Sequence, residues 1–152
     1  MPNDFLRGYL PFLLQRADQE LSAAFHARLG DDGISVSEWR LLAVLGDGRP
    51  YGVSELATVT MLPQPTTTHA IGRLESDGLV ERRSADHDKR RRLVSLTPAG
   101  LQLAARLTAA AAHHQAAVLA TIDAEIGPAL QTQLGRLIDT DSTSRSPVPP
   151  PG

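Results

Sequence analysis

Apolar residues at Leu6, Leu10, Leu13, Ala17, Leu21 and Ala24 recur at spacings of four and three, one stripe of an α-helix. Phe5, Tyr9, Phe12, Leu14 and Phe25 widen that stripe beyond what a lone surface helix needs. Pro11 removes a backbone donor, so the pattern predicts a helix that starts near Tyr9 or kinks there, and the segment Gly30–Gly33 ends it. Ser35-Val36-Ser37-Glu38 reads as a capping box opening a helix over 36–46, with Trp39, Leu42 and Leu45 turned inward. After a turn at Gly46–Pro50, two short helices are expected over 53–59 and 64–77. In the second, Thr67, Ile71 and Leu74 share one face and Thr68, His69, Gly72 and Arg73 the other. Pro63 and Pro65 fall where a missing amide is tolerated, and Gly78 is placed to end the helix in a left-handed conformation.

The pattern then changes period. Leu79–Arg83 and Arg92–Leu96 are short β-type runs, and the charged loop 84–91 between them predicts a hairpin. Thr97-Pro98 is an N-cap followed by a proline suited to a first helical turn. A long alanine-rich helix is expected over 98–122, then a last helix capped by Asp123 and reaching about 138, with Leu130, Leu134 and Leu137 as its stripe. Residues 140–152 hold too few apolar groups to pack and are expected to be disordered. No internal repeat is visible. A short helix, a turn and a second helix followed at once by a basic hairpin is the order of a winged helix-turn-helix. The expected fold is mainly α with a small β-hairpin wing. A winged helix-turn-helix over 35–97 lies between helical segments 5–34 and 98–139, ahead of a tail at 140–152.

At 152 residues the chain is about one domain, and 41% hydrophobic residues suffice for a core. With no cysteine, disulfides, thiolate metal sites and thiol redox switches are excluded. No apolar run approaches the roughly 18 residues of a membrane span, and the N-terminus does not read as a signal peptide, so the expected compartment is the cytoplasm with no membrane partner. Net charge is −2, but it is unevenly spread. Between Arg82 and Arg92 six basic residues face two acidic ones, a local +4, while the remainder carries −6. A basic island on an acidic body is either the footprint of a phosphate contact or a solvated charge run.

Three segments carry a family resemblance. Val53-Ser54-Glu55-Leu56-Ala57, Arg73-Leu74-Glu75-Ser76-Asp77-Gly78-Leu79-Val80-Glu81-Arg82 and Asp88-Lys89-Arg90-Arg91-Arg92-Leu93-Val94-Ser95-Leu96-Thr97 resemble the MarR family of bacterial transcriptional regulators, in order and spacing, over about residues 6–138. The resemblance implies a symmetric homodimer built on the first and last two helices, with the helix at 64–77 in the major groove of double-stranded DNA. It further implies that Arg90 reaches from the wing into the minor groove and that Asp88 holds the wing in shape. Gln64, Thr66, Thr68, His69, Arg73, Arg91 and Arg92 complete the expected DNA contacts; a glutamine pairs well with adenine, and a threonine suits phosphate or a thymine methyl. The chain departs from the family at Pro63 and His69, where a polar cap and an arginine are usual, so its reading head is individual.

The same resemblance implies a ligand-responsive repressor acting on a palindromic operator. A small aromatic acid or phenolic effector would be held by Arg16, Phe12 and Trp39, although a salt bridge with an internal acid accounts for Arg16 somewhat better. No cofactor and no metal are expected: His113 and His114 point about 100° apart on a helix, and His26, His69 and His87 lie in different elements. No nucleophile elbow, phosphate loop or zinc-protease motif occurs, so an enzyme is not expected. The competing readings are a winged-helix protein-interaction module, which has no need of four consecutive cations at 89–92, and a metal-dependent sensor or enzyme.

Overall fold

The computed structural model describes residues 4–144, with side chains through Asp139. The elements run α1 (Asp4–Gly8), α2 (Leu10–Asp31), α3 (Val36–Leu45), β1 (Tyr51–Gly52), α4 (Val53–Thr60), α5 (Gln64–Ser76), β2 (Val80–Ala85), β3 (Asp88–Leu96), α6 (Pro98–Ala120) and α7 (Ile126–Ser144). They fall into two compact units, residues 1–112 and 113–152.

Pro11 sets the first boundary. Tyr9 is the extended N-cap of α2 and Pro11 lies in its first turn, so the break falls at Tyr9 and a one-turn helix precedes it. The capping box forms as its spacing requires. Ser35 Oγ accepts the Glu38 amide at 3.1 Å, and Glu38 Oε2 accepts the Ser35 amide at 2.8 Å. Leu41, Leu42 and Leu45 of α3 then meet Leu56 of α4 and Ile71 and Leu74 of α5 in a core closed by Leu29, Val80, Val94 and Leu107. Each of these leucines contributes about 1.5–3 kcal/mol through burial of its side chain.

The sheet is larger than the expected hairpin. β1 pairs with β3 through Tyr51↔Val94 and Gly52↔Leu93, giving three antiparallel strands in the order β1-β3-β2. The predicted loop 84–91 is mostly strand. β2 runs to Ala85 and β3 begins at Asp88, leaving a turn at residues 86–87 and an irregularity at Ser84/Ala85. Arg90, Arg91 and Arg92 therefore stand on β3. Their polarity suggests a loop, but backbone pairing of an exposed ribbon does not require apolar side chains.

The joint between sheet and α6 is tight. Gly78 adopts φ +71° and ends α5, as its position predicts. Thr97 Oγ1 donates to the Gly78 carbonyl at 2.7 Å and accepts the Gly100 amide at 3.1 Å. A Cβ at Gly100 would lie 1.9 Å from the Leu79 carbonyl oxygen, so the backbones meet where no side chain fits.

In the second unit Asp123 makes the bonds of an N-cap on the turn that leads into the last helix. Its Oδ1 accepts the Glu125 amide at 2.9 Å, its carbonyl accepts the amides of Ile126 and Gly127, and α7 opens at Ile126. α7 continues through Ser144, so its backbone takes residues 140–144 out of the expected disordered tail. The rest of that tail, 145–152, lies outside the described residues.

Candidate nucleic-acid interface

α4, the turn at Met61–Pro63 and α5 form the helix-turn-helix. α5 buries Thr67, Ala70, Ile71 and Leu74 and exposes Thr68, His69 and Arg73 on its opposite side, as the helical period predicts. Thr68, His69, Gly72, Arg73, Ser76 and Asp77 line a shallow open cleft there. The three threonines do different work. Thr67 is buried and donates to the Pro63 carbonyl at 3.1 Å, Thr66 is half-buried, and Thr68 is exposed. Because Pro63 and Pro65 carry no N–H, the first turn of α5 offers the amides of Gln64 and Thr66 to a phosphate. The Gln64 side chain is tied back to α4, its Nε2 donating to Ser54 Oγ at 3.4 Å. That bond is long enough to exchange for a base edge.

On the wing, Asp88 Oδ1 accepts the Arg90 amide at 2.9 Å, so the acid fixes the strand just past the turn. Arg90 and Arg92 are exposed and take part in no ion pair among the described residues. Arg91 differs. Its guanidinium turns toward Glu55 of α4, 3.9 Å away, and Glu55 stands equally far from Arg49. Arg49 also pairs with Asp47 at 3.2 Å and lies 4.3 Å over the Tyr51 ring. This cluster ties the wing to the start of α4. A hydrogen bond from the Tyr51 hydroxyl is the chief cause holding the Asp47 carboxyl below its ordinary value, with the Arg49 amide next.

Sequence reasoning missed Ser54, Glu55, Arg49 and the second role of Glu38. Glu38 is 2% exposed; beyond its capping bond, its Oε1 lies 3.0 Å from Arg73 Nε on the exposed side of α5. The capping box was visible locally, but a partner 35 positions away was not.

The three side chains expected around an effector are not gathered in one place. Trp39 packs edge-on against Phe25, ring centroids 5.3 Å apart. Arg16, nine residues before Phe25 on α2, is about 13–14 Å away along that helix. It is exposed and pairs with Glu20 at 3.4 Å, the internal salt bridge among its two expected roles. Phe12, one turn before Arg16, is half-buried.

Among the described residues no cluster of three histidines, cysteines or acids is placed to hold a metal. Among them, too, no helix is long and apolar enough to cross a membrane.

A helix-turn-helix with an exposed polar face, flanked by a basic β-ribbon, defines a winged-helix DNA-binding protein. The MarR family pattern matches residues 32–91. A MarR family transcriptional regulator from Silicibacter pomeroyi DSS-3 has the same fold, TM-score 0.76 and 35% identity, over 89% of this chain and 99% of that one. The HTH-type transcriptional repressor IacR of Pseudomonas putida is 31% identical over 101 residues, 66% of this chain and 60% of the relative. NadR, solved in complex with 4-hydroxyphenylacetate, shares the fold with TM-score 0.78 at 23% identity over 89% of this chain and 98% of that one. The chain belongs to the MarR family of transcriptional regulators.

Proposed function

We propose that the protein is a homodimeric repressor that reads a palindromic operator through α5 and β3 and releases it when a small aromatic acid or phenol binds. The observation that carries the DNA reading is the exposed α5 face of Thr68, His69 and Arg73, on the same winged-helix unit as Arg90 and Arg92 of the ribbon. α5 is sized for the major groove, and the guanidinium of Arg90 suits the negative potential of a narrow minor groove. Support for the homodimer comes from apolar side chains left in water. Phe5, Leu10, Leu13 and Leu14 in the first unit, and Leu130, Leu137 and Ile138 in the second, are all more than a third exposed.

The test is selection of duplexes from a randomised DNA library by the purified protein. An inverted repeat should be enriched, with half-sites one helical turn, roughly 34–36 Å, apart. Enrichment of no duplex, or of a single unrepeated half-site, overturns the reading.

The effector is supported by Phe12 and Arg16, one turn apart on α2, which offer an aromatic surface and a guanidinium to a ring carboxylate. A coupling of about 1–3 kcal/mol suffices for release. Benzoate, salicylate and cinnamate should be titrated against operator-bound protein, with Trp39, the single tryptophan, as the fluorescent reporter. No response at millimolar concentration, or an unchanged response in Arg16→Ala, removes this assignment.

A further inference from the structure

A buried carboxylate facing an exposed arginine on a recognition helix is an arrangement the DNA-binding reading does not by itself call for. Glu38 belongs to α3, outside the helix-turn-helix, and is 2% exposed, yet the Arg73 side chain that meets it is 58% exposed. Nε stands 3.0 Å from Glu38 Oε1, an ion pair and not a hydrogen bond, and that buried oxygen has no hydrogen-bond partner among the described residues. The inner edge of the guanidinium thus faces the carboxylate, and Arg73 lines the cleft shared with His69 and Thr68. Oε2 of the same carboxylate is held by the Ser35 amide at 2.8 Å, so the acid cannot swing to follow Arg73. An arginine restrained by an ion pair at Nε loses less further rotamer freedom when its terminal nitrogens grip two acceptors.

We propose that Glu38 is a positioning residue for operator recognition, holding Arg73 by Nε so that its terminal nitrogens are presented to DNA in one orientation. This rests on the regulator reading and adds to it a residue that never touches DNA. Charge and geometry predict opposite signs. Neutralising an acid near the DNA face should tighten binding by simple Coulomb attraction, whereas loss of the tether should weaken it.

The experiment uses the full chain and a duplex enriched by the wild type from the randomised library. Glu38→Gln retains an oxygen for the Ser35 amide but lacks the charge that holds Nε. It should bind the selected duplex about 5–20-fold more weakly, the range of a bidentate contact partly lost. Arg73→Lys, which keeps the charge but has no Nε to hold, should lose a similar factor. The double variant should lose no more than the worse single one, because both act on one contact. In the free protein, the Arg73 Nε order parameter should be higher in the wild type than in Glu38→Gln. That readout needs no DNA and would not move if Glu38 only capped α3. Glu38→Gln that is folded and binds as tightly as wild type overturns the proposal, as do single losses that multiply in the double variant. Wild-type protein that enriches no duplex brings down the regulator reading together with it.

Discussion

The Arg90 amide donates to Asp88 Oδ1 at 2.9 Å, an acid bracing the strand that carries the wing's cations. Asp88→Ala removes a negative charge from a basic ribbon and should nevertheless weaken operator binding. The loss expected is about 0.5–1.5 kcal/mol, the net worth of such a bond. Fluorescence anisotropy across a salt series checks this; tighter binding at every salt concentration would refute it.

The three wing arginines should separate in experiment. Arg90→Ala should cost about 1–3 kcal/mol of operator affinity. Arg92→Gln should lower the salt slope of binding by about one, as for a phosphate contact. Arg91→Gln should lower it by less, because Glu55 stands 3.9 Å from that guanidinium and already offsets part of its charge. Equal slopes for the Arg91 and Arg92 variants would contradict the placement of Arg91.

Deletion of residues 145–152 should leave a homodimer, whereas Leu13→Glu, at a leucine 43% exposed in the single chain, should shift the protein to monomer at micromolar concentration. Sedimentation velocity distinguishes the two. A wild-type chain that sediments as a monomer would overturn the assembly.

Acid should act through Asp47. The Tyr51 hydroxyl, then the Arg49 amide, hold its carboxyl below the ordinary 3.8. Folding therefore favours the carboxylate, and its contribution is in force above 3.8 and lost as pH falls through the lower folded value. Asp47→Asn should be less stable than wild type at neutral pH, and the urea midpoints of the two should converge in the acid range below 3.8. Midpoints that stay equally far apart at every pH would rule out this role. Tyr51 is shifted upward, mainly because its hydroxyl donates a hydrogen bond to Asp47, so its share is full below the ordinary 10.0 and is lost as pH rises through the higher folded value.

What was legible in the sequence is what short-range chemistry determines. The Ser35–Glu38 box, the left-handed Gly78 and the Thr97 cap each depend on residues within three or four positions, and all three stand where their spacing puts them. The exposed face of α5 followed from helical period. Strand β1 did not, because two residues carry no periodicity and Tyr51–Gly52 is a strand through its pairing with Leu93 and Val94. The polar composition of 84–91 concealed paired strands for the same reason: the ladder is a property of two segments together. Local reading likewise could not see that Trp39 is committed to Phe25, that Arg91 turns to Glu55, or that Arg73 is held from α3.

The contact of Gly100 with the Leu79 carbonyl has a mechanical consequence. Elsewhere in the core, side chains stand between backbones and can yield by changing rotamer, which damps a displacement. At this joint the main chain of Gly100 meets that of Leu79, with the end of the Leu96 side chain beside it, and Thr97 braces the joint to Gly78. A displacement of the first turn of α6 should therefore carry the end of α5 and the root of β2 with it. Such a joint should act as a stiff coupling, so that a change in the angle of α5 would draw its compliance from another part of the chain.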